Sequence, residues 1–227
     1  MGAGAKGMDP LEWAKFIIRN RDDRSYVDAY AIFVREAKGG SAEAEYSLGL
    51  MYARGQGVEK DHEAAVAWFS KAYSHGFMNA AYFLGKMSLL GMGVEKDALK
   101  AKGYFEAIAG QDARAMYELG IMHFTGEDVP RDLVESARWM RRAAEAGNAE
   151  AQFVLGQYYK AGAGVEKDPA EAVRWLTAAA LNRHKGAQIL LGNMYRTGDG
   201  VDADQEESDR WYDMADGKSN VDRGSRA

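Results

Sequence analysis

Apolar and small residues recur along the chain at the spacing of a helix face. Ala44, Leu48, Met51 and Tyr52 fall on one arc of about 100° when each residue is turned by about 100°. That pattern predicts an amphipathic helix over roughly residues 41–54. A glycine-rich corner, "GQGV", follows at 55–58. A second stripe, Ala65, Trp68 and Ala72, begins after Asp61. The whole pattern then returns. "LGLMYARGQGVEKD" from Leu48 is echoed by "LGKMSLLGMGVEKD" from Leu84, "LGIMHFTGEDVPRD" from Leu119, "LGQYYKAGAGVEKD" from Leu155 and "LGNMYRTGDGVDAD" from Leu191. The spacings are 36, 35, 36 and 36 residues. Ala44, Ala80, Ala115, Ala151 and Ala187 stand four before each Leu, and Trp68, Tyr104, Trp139, Trp175 and Trp211 seven after each Asp. Self-similarity at a fixed period of this size is the mark of a stacked-repeat protein.

Each repeat is expected to be helix A, a corner, and helix B. Gly49 sits inside helix A, where glycine costs about 1 kcal/mol against Ala. That cost makes sense if another helix must come close, with Trp68 as the expected occupant of the space. The corner glycines supply the positive φ needed at a helix end and turn. Asp128, in place of the second glycine, tolerates that region better than most residues. Val58, Val94, Val129, Val165 and Val201 are expected to plug the corner onto the core. Asp61, Asp97, Asp132, Asp168 and Asp204 are placed as N-caps of helix B. Glu135, Glu171 and Glu207 stand at capping-box spacing, and Pro169 at the favoured first helical position.

The pattern A-x3-L-G-x2-Y-x2-G-x-G-V-x2-D-x3-A-x2-W resembles the Sel1-like repeat family, a relative of the tetratricopeptide repeats. The match covers about residues 44–215. Departures are Ser88 and His123 at the Tyr position, Asp128 at the second Gly and Ile108 at an Ala position. The resemblance implies an all-α fold, a right-handed α-solenoid, with repeats at 44–79, 80–114, 115–150, 151–186 and 187–216. Residues 9–43 are expected to form a degenerate N-terminal helical pair that has lost the corner glycines. The acid-rich last helix, "DQEESDRWYDMAD", suits a polar cap. Residues 1–8 and 217–227 are expected to be flexible.

Charge and composition narrow the function. The net charge of −5 argues against nucleic acid as partner, because phosphate contacts need a basic footprint. With no cysteine there is no disulfide, thiolate metal site or cysteine nucleophile. No apolar run is long enough to span a membrane, and no apolar leader opens the chain. A cytoplasmic protein is expected, or a periplasmic one if a signal has been removed. The glycine corner lacks the Gly-Lys-Ser/Thr of a phosphate loop and lies between two helices, so it is a structural corner. His62, His75, His123 and His184 form no metal-binding pair, and His123 replaces a packing Tyr. No serine lies in a nucleophile elbow. A non-catalytic protein with no cofactor and no metal is expected.

The informative positions lie opposite the buried arc of helix A. Counting from the helix-A glycine, positions −3, +1 and +4 fall near 40–100°. In tetratricopeptide-like arrays this side lines the concave groove. The −3 series is Tyr46, Tyr82, Tyr117, Phe153 and Ile189. The +1 series is Leu50, Lys86, Ile121, Gln157 and Asn193, and the +4 series is Ala53, Leu89, Phe124, Lys160 and Arg196, with Arg54 just beyond. The groove is expected to be apolar over three repeats and basic over the last two. Such a surface suits a partner protein or peptide, held by a monomeric adaptor or regulator. An immunity protein neutralising a cognate effector and a hydrolase acting on peptide or cell-wall fragments are the alternatives. Head-to-tail assembly through the acidic last helix and the basic "RNRDDR" loop is a further, architectural one.

Overall fold

A computed structural model describes residues 9–19, 23–127 and 129–218 of the 227. The fold is all-α, of the solenoid class, with no strand among the described residues. The helices are α1 (Pro10–Arg19), α2 (Asp23–Lys38), α3 (Ala42–Arg54), α4 (His62–Ser74), α5 (Ala80–Leu90) and α6 (Ala98–Ile108), then α7 (Ala113–Thr125), α8 (Leu133–Glu145), α9 (Ala149–Ala161), α10 (Pro169–Leu181), α11 (Lys185–Thr197) and α12 (Gln205–Ala215). Two compact units divide the chain, Met1–Gly110 and Gln111–Ala227. Within each, odd-numbered helices pair with the helix that follows, and each even-numbered helix also packs on the next odd one. None of these helices is long and apolar enough to cross a membrane. The expectations for residues 1–8, 219–227, Asp128 and the centre of "RNRDDR" lie outside the described residues.

Local chemistry sets where each helix stops. Gly55, Gly91, Gly126, Gly162 and Gly198 close the odd helices α3 to α11 in the left-handed conformation, a region closed to most L-residues. The five Asp residues are N-caps, as their spacing predicts. Asp61, for example, accepts from the Ala64 N–H at 3.0 Å, and Asp168 from both Ala170 and Glu171 at 3.0 Å. The capping boxes are a correction. Each cap's own N–H already donates to a carbonyl of the preceding helix: Asp132 to His123 at 2.9 Å, Asp168 to Tyr159 and Asp204 to Tyr195 at 2.8 Å. With that donor occupied, Glu135, Glu171 and Glu207 pair with arginines one turn on, Arg138, Arg174 and Arg210.

The core corrects the sequence in a second place. The residue lying over Gly49 is Phe69, not Trp68: a Cβ at Gly49 would stand 2.6 Å from its ring. The same register puts Phe105 over Gly85, Met140 over Gly120, Leu176 over Gly156 and Tyr212 over Gly192. One residue is about 100° of helix, so the Trp68 column points elsewhere. Trp68 packs with Ala14, Phe33 and Leu48 in the core of the preceding helix pair, and Tyr104 packs on the core formed by α4 and α5. The conserved-register Ala and Leu positions are buried in every copy, none more than 3% exposed. Phe33, 1% exposed, occupies the Phe69 position in the N-terminal pair, one repeat length upstream.

The second corner glycine answers to a neighbour's backbone. A Cβ at Gly57 would stand 2.7 Å from the Tyr26 carbonyl oxygen of α2, and Gly93, Gly164 and Gly200 face the first turns of α4, α8 and α10 in the same way. The corner therefore sits on the helix B before it. Val58 and Val94 pack on the cores beneath as expected, and Val129 is buried.

Two glycines inside helices should respond with opposite signs to the same substitution. Gly85→Ala forces a methyl group to within 2.5 Å of the Phe105 ring and should destabilise the protein by about 1–3 kcal/mol despite the better helix former. Gly103, within α6, has nothing within 4 Å of the added Cβ, and Gly103→Ala should stabilise by about 0.5–1 kcal/mol. Urea denaturation of the two variants gives both signs.

Candidate functional site

The faces of the odd-numbered helices that point away from their pairing partners are the candidate site. In the first unit, Tyr46 is half-buried. Its ring centroid lies 4.9 Å from Phe77 and 5.7 Å from both Phe69 and Phe83, so it wedges α3 against α5. Tyr82 meets Phe83 edge-on at 5.5 Å and Phe105 at 6.1 Å. Leu50 and Ala53 pack onto the same α4–α5 core with part of their surface in water. Lys86 and Leu89 are half-buried and Arg54 is exposed. Leu90 was not among the sequence candidates, yet it is 57% exposed. It occupies the position that Arg54 holds in α3, and comparing that column along the repeats would have found it.

In the second unit the same face is largely engaged with itself. Tyr117 is half-buried, and burial followed by the nearby Glu150 pushes its hydroxyl pKa up. Ile121 is half-buried. Phe124 is 40% exposed; it stacks on Tyr158 at 6.0 Å, and the Arg131 guanidinium lies 5.9 Å from its ring while donating to its carbonyl at 3.1 Å. Phe153 stacks on the His184 ring at 4.2 Å. Lys160 is ion-paired with Asp199. Arg196 donates to Asn193 at 2.7 Å, and the same oxygen accepts from the Tyr212 hydroxyl at 2.9 Å. Gln157 and Ile189 are exposed. The residues expected to make this end basic thus have partners within the chain.

Side chains that could suggest chemistry have structural employment. His184 caps α11: its Nδ1 accepts from the Ala187 N–H at 3.0 Å, so the proton sits on Nε2, which faces Glu150 at 3.1 Å. His123 is half-buried, as a residue replacing a packing Tyr should be, with Nδ1 unpartnered. Glu45 is fully buried, with Oε2 2.8 Å from His75 Nδ1. Lys71 Nζ stands 2.9 Å from the other oxygen, close enough for an ion pair but outside hydrogen-bond geometry. Gln152 and Gln188 fill the corresponding position in later repeats, each donating 3.1 Å to a carbonyl of the preceding helix. The Glu45 cluster is therefore a charged version of a tie between helices. Among the described residues no three His, Asp or Glu side chains gather as metal ligands.

A tyrosine pair that the sequence did not single out links the N-terminal helices to the first repeat. The Tyr30 and Tyr52 hydroxyls lie 2.9 Å apart. This bond, then burial and the charge of Asp61, push the Tyr52 pKa up to about 12 from 10.0. The folded state thus holds this proton more tightly than the unfolded chain. The associated stability is complete below about pH 10 and is lost as pH rises towards 12. Tyr30→Phe should bring the Tyr52 titration back towards 10, read from the ring-carbon shifts of labelled tyrosine; an unchanged midpoint would show that the bond does not set it.

Comparison with known proteins places this geometry. The pattern of the Sel1 repeat matches residues 42–77, 79–112, 113–148, 149–184 and 186–215. A protective antigen of uropathogenic Escherichia coli with an SLR fold is 32% identical, with a TM-score of 0.83 over 92% of this chain and 45% of its own; this chain thus spans less than half of that antigen's length. A Sel1 repeat protein from Oxalobacter formigenes is 28% identical, with a TM-score of 0.80 over 95% of this chain and 85% of its own. An immunity protein from Pseudomonas aeruginosa, 18% identical with a TM-score of 0.58 over 92% of this chain and 84% of its own, shares the fold. The curated proteins give no match. Five matched copies in register, with glycine corners, Asp caps and paired helices in place, make this chain a member of the Sel1 repeat family.

Proposed function

We propose that the protein is a non-catalytic interaction module, an adaptor or regulator that holds a partner protein on the outward faces of its odd-numbered helices. Sel1 repeat proteins are generally protein-interaction modules. The observation that carries the reading to this surface is the large apolar side chains left in water there, Leu90 at 57% and Phe124 at 40% exposure, beside half-buried Leu50, Leu89 and Ile121. In the first unit Leu90 stands near Leu50 and Leu89, and in the second Phe124 near Ile121; exposed apolar groups clustered in this way mark interaction sites. Leu99, Val134 and Leu181 are also exposed, but they stand singly on the even-numbered helices, where isolated apolar residues are ordinary. Catalysis finds no support in the described side chains, since His184, His123 and His75 serve as cap, packing group and ion-pair partner.

The aromatic series is a poor target for testing this surface. Tyr46, Tyr82 and Phe153 hold neighbouring helices together, so their removal would damage the stack itself. Leu90→Asp and Phe124→Ser change exposed surface. Affinity capture from a native lysate should recover a protein partner with the parent chain and lose it with one or both variants. The unfolding free energy should stay within about 0.5 kcal/mol for Leu90→Asp and fall by about 1–2 kcal/mol for Phe124→Ser, which also loses its stack on Tyr158, with both variants still folded. Undiminished capture by both would place the binding surface elsewhere.

A further inference from the structure

The two units differ in how far this face is satisfied from within, and the difference bears on what the first unit binds. In the second unit Lys160 is ion-paired with Asp199, while Arg196 and Arg131 are held by hydrogen bonds to the Asn193 amide oxygen and the Phe124 carbonyl. In the first, Arg19 and Arg54 end α1 and α3, are exposed, and have no ion-pair partner among the described residues. Arginine in a last turn favours the helix dipole, which accounts for its presence there but leaves its charge uncompensated. The place that Arg54 holds in α3 is taken by Leu90 in α5, with Leu89 beside it. Helical phase puts Leu50 and Ala53 on the same side of α3 as Arg54. The result is an apolar strip, Leu50, Ala53, Leu89 and Leu90, with exposed Arg54 at its edge and no ion pair to that guanidinium among the described residues.

Resting on the interaction function proposed above, we infer that the first unit's face takes a segment of a partner protein that combines leucine-type side chains with Asp or Glu at its border. The apolar strip needs an apolar occupant to leave water. The arginines need anions, and a carboxylate matches the guanidinium fork in geometry as well as sign. Nucleic acid fits less well: it would meet the strip with phosphate and sugar, and a chain of net charge −5 lacks the basic footprint.

Three labelled synthetic helical peptides of about 14 residues, about 21 Å long, test this against the full chain by fluorescence anisotropy. One has a leucine face bordered by Glu, one the same face bordered by Lys, and one a serine face bordered by Glu. The Leu/Glu peptide should bind at least about tenfold more tightly than the others, a difference of about 1.4 kcal/mol. Salt should weaken it. Arg54→Glu and Leu90→Asp should each cost it about tenfold or more, and the milder Arg54→Gln less, with unchanged helical content. Phe124→Ser, in the second unit, should leave it alone. Equal binding of the Leu/Lys peptide, indifference to Arg54→Glu, or no binding of any peptide would overturn the inference. So would a concentration-dependent dimer in sedimentation that Leu90→Asp abolishes, since the occupant would then be a second copy. Failure here with lysate capture still sensitive to Leu90→Asp or Phe124→Ser would remove the acidic chemistry and leave the interaction function standing. Loss of both would remove the face itself.

Discussion

Everything in this fold depends on how closely the two helices of a repeat approach. Helix A carries a glycine where a side chain from helix B must sit, and in the first two repeats that side chain is a phenylalanine ring lying where a Cβ would be. The glycine lowers helix propensity, and the ring fills the gap it leaves. The occupant changes down the chain, from Phe69 and Phe105 to Met140, Leu176 and Tyr212. Contact at the same place is kept while shape varies, which a core tolerates when volume is roughly preserved. In the third and fifth repeats a buried serine adds a tie: Ser136 and Ser208 donate 2.7 Å hydrogen bonds to the carbonyls of Gly120 and Gly192.

Once a pair is closed, its other surfaces are committed. The Trp68 column turns back to the preceding pair, and Val66 and Tyr73 pack forward on the core made with α5. The second corner glycine settles on the first turn of the preceding helix B. Pairs within a unit are thus held by side chains, by backbone contact and by ties such as that from Gln152 to the Ala144 carbonyl at 3.1 Å. In α12 the positions equivalent to Val66 and Tyr73 are Asp209 and Asp216, both exposed. A charged residue at these two positions, one in α12 and one at its C-cap, replaces the apolar contact that Val66 and Tyr73 make in α4.

The surface left over is the outward face of the odd helices, and here the repeats stop resembling one another. Leu50, Lys86, Ile121, Gln157 and Asn193 share one position in the period. Packing constrains them less than the buried Ala and Leu positions: Leu50 touches the core with only part of its surface, and Gln157 is exposed. Charge on this face cannot be read residue by residue, because Lys160 with Asp199 presents a neutral pair where the sequence shows a cation. The charge such a face presents is what remains after pairing of this kind.

Period, helix pairing, caps and left-handed corners were legible in the sequence because each depends on residues close together in the chain. An N-cap reaches three residues, and a glycine corner concerns its own φ. The family followed from the same letters. Which aromatic enters the glycine gap was not legible. Trp68 and Phe69 are adjacent, and only the rotation of helix B against helix A decides between them. The capping boxes failed for a related reason: the donor they require was already engaged by a carbonyl nine residues back in sequence and adjacent in space. The buried Glu45 cluster, the Tyr30–Tyr52 bond and the Lys160–Asp199 pair join residues 22 to 39 positions apart. Contacts at that range exist only after the helices have packed, within a pair for Glu45 and between pairs for the other two, so the tertiary structure alone decided which polar groups remain available to a partner.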